Sequence, residues 1–166
     1  KNTFLPMAIL LLYSKRNIKF PKVEKYSIVQ TFQNIEILTD ESTKTAAAYL
    51  ESTAIEANIA PVIIHDKYSF CHGRHTTTHY QNNLIIYLIS KKSLLDEMIL
   101  NVLKEQKKQI VILNAEDEDF IQADFNLTFQ ALNLLIQIAE QKEIELCNIK
   151  YAPFAGKLYH YKLEDF

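Results

Sequence analysis

The chain has 166 residues, 48% of them apolar and 23% charged, with a net charge of −2. That is the length of one domain and the composition of a folded protein, and its slight acidity argues against nonspecific nucleic-acid binding. The only glycines are Gly73 and Gly156, so neither G-x-G-x-x-G nor G-x-x-x-x-G-K-S/T can be written and the Gly-rich phosphate loops are excluded.

The chain opens on Lys1 and runs straight into an apolar stretch, Phe4 to Tyr13, which is too short to span a bilayer. No membrane association is expected, and the chain reads as part of a longer protein. Residues 3–17 are expected to form a helix, with Thr3 as a cap and Pro6 in its first turn. Asn17 to Lys25 is polar, contains Pro21 and reads as a linker. Residues 1–25 are therefore expected to join an upstream part to a domain spanning 26–166.

Within that domain, Ile35 to Thr39 reads as a strand and Ser42 to Asn58 as an Ala-rich helix. Val62-Ile63-Ile64 follows Pro61 as a second strand. Leu84 to Ile89 (LIIYLI) is nearly all apolar, as expected of a strand buried on both faces. Ser93 to Lys107 reads as an amphipathic helix with Leu94, Leu95, Met98, Val102 and Leu103 toward the core. Gln109 to Leu113 (QIVIL) is a further buried strand, Phe120 to Phe125 a short edge strand, and Leu127 to Lys142 a long apolar helix ahead of an irregular tail. Alternating strands and helices predict an α/β three-layer sandwich, with a mainly parallel sheet of the flavodoxin type between helices. Ligands of such folds sit beyond the carboxyl ends of the strands.

Three segments lie at those ends. The turn Thr39-Asp40-Glu41-Ser42-Thr43 opens a helix and offers hydroxyls and free N–H groups to an anion, although capping is the commoner use of such residues. The stretch His65 to His79 holds four of the five histidines, together with Cys71 and Gly73. Its imidazoles and thiol are zinc donors, but the spacing fits no closed zinc site, so no metal is expected. The acidic loop Glu116 to Asp119 reads as solvated. Cys71 and Cys147 stand far apart without a C-x-x-C, which predicts free thiols in a reducing, cytoplasmic setting. Nothing calls for a redox or nucleotide cofactor.

Taken in order, the segments over residues 33–160 resemble the sugar isomerase (SIS) domain family, in particular the second SIS half of double-SIS proteins. The likeness rests on the helix ending in Glu56, the run Phe70-Cys71-His72-Gly73-Arg74-His75, LIIYLI with the polar turn Ser90-Lys91-Lys92-Ser93, QIVIL, and the tail Pro153 to Lys157. In that family a helix glutamate some sixteen residues before a His-Gly pair is the isomerisation base, and the histidine helps open the sugar ring. Glu56 and His72 keep that separation. The resemblance implies an aldose–ketose isomerisation of a hexose or hexosamine phosphate, with Glu56, His72 and Lys157 as catalytic groups. Arg74, His75, Thr39, Ser42, Thr43 and Glu51 would be substrate-binding.

Three departures stand beside this likeness. The Ser/Thr-rich phosphate loop of the first SIS half is missing, Thr53 replaces a family lysine, and Arg74 replaces the proline after His-Gly. They leave room for a non-catalytic module that senses a carbohydrate derivative or supports assembly. The resemblance also implies pairing, either as a homodimer or with another SIS half, through the apolar helices 3–13 and 127–139.

Overall fold

The computed structural model describes residues 21–28, 31–116, 119–148 and 153–155. The expected helix over 3–17 and Lys157 lie outside the described residues.

Among the described residues four strands, β1 (Asn34–Thr39), β2 (Val62–Asp66), β3 (Asn83–Ile89) and β4 (Gln109–Asn114), form one sheet in the order β2-β1-β3-β4. Every pairing is parallel, with Leu38 opposite His65 on one side and Tyr87 on the other. The order matches the first four strands of the flavodoxin-type arrangement. Among the described residues the longer helices are α1 (Lys44–Glu56), α2 (His75–Tyr80), α3 (Leu94–Glu105) and α4 (Phe120–Gln141).

Strand periodicity sorts the apolar side chains into two cores. Ile35, Ile37, Leu84, Ile86, Leu88, Val111 and Leu113 face one way and pack against α1 and α4. Leu38, Ile85, Tyr87 and Ile89 face the other way, against Phe70 and the α3 residues Ile99, Leu100 and Leu103. The result is the three-layer α/β sandwich expected from the pattern. Residues 21–28 run along α4, where the Glu24 carbonyl accepts from Asn133 (2.7 Å) and Gln137 (2.7 Å), and the Tyr26 N–H donates to Gln137 (3.0 Å).

Two expectations are corrected, and one segment gains a structure that its sequence left open. Phe120 to Phe125 is not a strand but the start of α4, because the Asp119 carboxylate caps that helix by accepting from the Ile121 N–H at 2.9 Å. The stretch His65 to His79 is mostly helical. His65 and Asp66 complete β2, Lys67–Ser69 makes one helical turn capped by Asp66, and Phe70–Arg74 is a widened turn leading into α2. That widened turn breaks at Gly73 (φ 115°), a backbone angle that costs a side-chain-bearing residue strain. Finally, Leu94, Met98 and Val102 do not face the core, since Asp96, Ile99, Leu100 and Leu103 take the buried face of α3.

Candidate functional site

The chain leaves β1 toward β2 on one side, then crosses to β3 on the other. The loops after β1 and β3 therefore diverge and leave a crevice at the carboxyl edge. The Ser42 hydroxyl, from the first loop, meets the Ser90 hydroxyl, from the second, at 2.6 Å. Ser42 also donates to Asp40 through its N–H (2.9 Å) and its hydroxyl (2.5 Å). Thr39 and Thr43 are buried beneath and share a hydrogen bond of 2.8 Å, while the Thr43 hydroxyl accepts from the Asp40 N–H at 3.1 Å. Asp40 and Thr43 close a capping box, which fixes the entry to α1.

Under this crevice lies Lys67, only 2% exposed. Its ammonium donates to Asp40 Oδ2 at 2.6 Å and to Asp96 Oδ1 at 2.8 Å, and stands 5.0 Å from the centre of the Tyr87 ring. Asp96 also accepts from the Tyr87 hydroxyl (2.9 Å) and from the Ser93 hydroxyl (2.6 Å) and N–H (2.8 Å), closing a second capping box at the start of α3. One cation thus ties the loop after β1, the end of β2 and the first turn of α3. Burial pushes both carboxyls upward, but the Lys67 bond and the hydroxyl donors outweigh it and hold Asp40 and Asp96 below their ordinary values. Burial, then the bond to Asp96, raises Tyr87. Two carboxylates against one ammonium leave this cluster at −1. The exposed Lys91 and Lys92 supply positive charge beside it, Lys92 pairing with Glu97 at 3.0 Å.

A second polar cluster sits beneath α2. Glu36, fully buried in β1, accepts from Thr78 at 2.6 Å and from Asn83. His65, buried beside it, has its Nε2 at 3.9 Å from Glu36, and neither ring nitrogen has a hydrogen-bond partner. Burial, aided by Arg74 and opposed by Glu36, lowers the His65 pKa.

The residues expected to form the site are spread out. Thr39, Ser42 and Thr43 are at the crevice. Glu51 is half-buried on α1, and Glu56 ends that helix exposed, accepting from Ser52 at 3.0 Å. His72 is exposed, with its Nδ1 2.7 Å from the Tyr68 carbonyl. His75 holds the Phe70 carbonyl at 2.9 Å, and Arg74 is exposed between them. Glu56 belongs to the layer of α1 and α4, and the His72 turn to the opposite layer, so the sheet stands between them. Within one chain they do not meet.

Lys67, Asp96, Tyr87 and Glu36 escaped the sequence reading. The spacing Ser93-x-x-Asp96 is a capping-box signal that points to Asp96. A carboxylate in the middle of a strand flanked by two others marks Glu36, since such a position is buried on both sides. Lys67 carries no comparable signal. Among the described residues no three His, Cys, Asp or Glu side chains gather as a metal site, and no helix is long and apolar enough to cross a membrane. Cys71 and Cys147 are free thiols, and burial pushes Cys71 up.

No protein-family model matches the sequence, and no curated protein matches it. Solved structures do resemble the fold, among them the following two. A Listeria monocytogenes protein assigned as a sugar-phosphate isomerase superposes with a TM-score of 0.54 at 9% identity, over 77% of this chain and 75% of its own. A Bacteroides fragilis protein assigned as a phosphosugar isomerase of capsule formation also gives 0.54 at 9% identity, over 84% of this chain and 80% of its own. At that identity the likeness is one of fold: this chain has the parallel α/β architecture of those two proteins.

Proposed function

We propose that the chain is an SIS-type module that binds a phosphorylated sugar at the β1–β3 crevice. The observation that carries this reading is the meeting of the Ser42 and Ser90 hydroxyls across the strand-order switch. Hydroxyl hydrogens rotate, so an arriving phosphate oxygen would turn Ser90 from Ser42 toward itself. Lys67, shared with Asp96, offsets part of the Asp40 charge that would otherwise repel the anion, and the exposed Lys91 and Lys92 of the loop after β3 add positive charge beside it. The sheet between Glu56 and His72 favours binding without turnover by a single chain, in line with a sensing or assembly role.

A thermal-shift comparison of hexose and hexosamine 6-phosphates with the parent sugars and inorganic phosphate tests this. Ligand at about 100 times its Kd stabilises by about 2.7 kcal/mol. The phosphosugar should raise the melting temperature, and the Ser42→Ala/Ser90→Ala variant should lose the shift. No shift with any phosphosugar would refute the reading.

A second reading, isomerisation, is favoured by one observation: Glu56 and His72 are both exposed. Two copies could therefore bring the Glu56 of one to the His72 of the other, with Lys157, Arg74, His75 and Glu51 as further contacts. Turnover of an aldose–ketose phosphate pair by the full-length protein, abolished by Glu56→Gln with binding retained, would establish it.

A further inference from the structure

Helix α3 has two apolar faces. Ile99, Leu100 and Leu103 bury one against the sheet. Leu94, Met98 and Val102, at four-residue steps, form a stripe on the other and are 85%, 52% and 51% exposed. Met98 and Val102 of the stripe form one lip of a groove of about 540 Å³ between α2 and α3, floored by Phe70 and Leu103, with Tyr80 on its opposite side. A continuous exposed apolar surface of this kind marks an interface. On the helix expected to supply one, residues 127–139, Leu127, Leu134, Leu135 and Ile138 serve the core of the same chain, and the outward Leu132 and Ile136 are each 37% exposed, less than any residue of the α3 stripe.

We propose that this stripe joins two copies of the chain in a two-fold homodimer, with their α3 helices packed antiparallel. The charges beside the stripe fix the occupant. Glu97 and Lys104 lie on the same flank, two turns apart. In an antiparallel pair centred between Met98 and Val102, Met98 lies across from the partner's Val102. Glu97 then lies across from the partner's Lys104, and symmetry repeats each contact. Glu97 already bonds Lys92 of its own chain at 3.0 Å, an exposed pair that leaves its carboxylate open to a second cation. Leu94 of the partner subunit comes to rest beside Gln106, over the end of the groove.

The test is sedimentation velocity on the full chain over a wide concentration range. The expected result is a monomer–dimer equilibrium that Met98→Asp weakens about a hundredfold. Lys104→Glu and Glu97→Lys should each weaken it roughly tenfold, because symmetry doubles every repulsion, and the double swap Glu97→Lys/Lys104→Glu should restore it. The charge variants leave the apolar core untouched, so their loss of association cannot be ascribed to unfolding. A monomer at all concentrations, which would leave the groove to a different partner, overturns the proposal. So does a dimer indifferent to Met98→Asp, and so does a double swap that fails to restore association.

Discussion

Lys67→Met removes the cation that holds the carboxyl edge together while keeping most of the side-chain volume. The Asp96 side chain is 2% exposed, so without Lys67 it becomes a buried carboxylate with neutral donors only, whereas Asp40, at 27%, still reaches solvent. Breaking a buried pair from one side costs about 3–5 kcal/mol, which for a chain of this size is a fall in melting temperature of roughly 6–20 °C. The pH dependence is diagnostic. In the wild type both carboxyls titrate below their unfolded value, so their contribution is present above that value and is lost as the pH falls through the folded one. In Lys67→Met, Asp96 titrates above its unfolded value instead. Its penalty is full at neutral pH and fades as the pH drops into the ordinary carboxyl range near ~4. Urea unfolding at neutral and acid pH should therefore show the gap between wild type and variant narrowing with acid, and adding Asp96→Asn should recover most of it at neutral pH. A gap under about 1 kcal/mol at neutral pH, the size of an exposed pair, or one that ignores pH, would refute the reasoning.

Gly73→Ala should cost about 1–2 kcal/mol. The added Cβ meets nothing within 4 Å, so the loss reflects the φ of 115° alone, and a larger loss in chemical denaturation would contradict this. His65 is buried with both ring nitrogens unbonded and its pKa lowered, chiefly by burial, with Arg74 adding and Glu36 opposing. The unfolded chain thus takes up a proton first as the pH falls, and stability declines below the ordinary histidine value near ~6.5. His65→Leu should flatten the decline between pH ~7 and ~5 with little loss above it. An unchanged slope would show that another group sets it.

The strands were legible because each carries its pattern in few residues. LIIYLI admits no polar face, and the structure buries every residue of β3. Helix α1 lies inside the expected 42–58, and α3 inside 93–107. The face of α3 was harder, because Leu94, Met98 and Val102 share a stripe as regular as the buried one, and periodicity alone does not say which stripe faces inward. The first turns of α4 were misread because Phe120 and Phe125 flank polar residues as strand residues do, while the helical signal rested on the Asp119 cap alone. Around the site, the hydroxyls of Ser42 and Thr43 were found because they sit at a helix start. The partnership of Lys67 with Asp40 spans 27 positions, and no local spacing encodes it.

Glu36 has a consequence for how the strands find their alignment. Apolar parallel strands slide against one another with little to choose between offsets, since Ile, Leu and Val pack almost equally well at each. Glu36 removes that freedom. In the observed alignment Asn34 lies opposite Asn83, and the Glu36 carboxylate reaches both Asn83 and Thr78. An offset of one residue would turn it to the other face of the sheet, among Ile35, Ile86 and Leu50, where no donor awaits it. The cost of an unpaired buried charge, several kcal/mol, falls on every misaligned sheet and spares the aligned one. A residue that adds little to the depth of the native minimum thereby widens its separation from the nearest competitors.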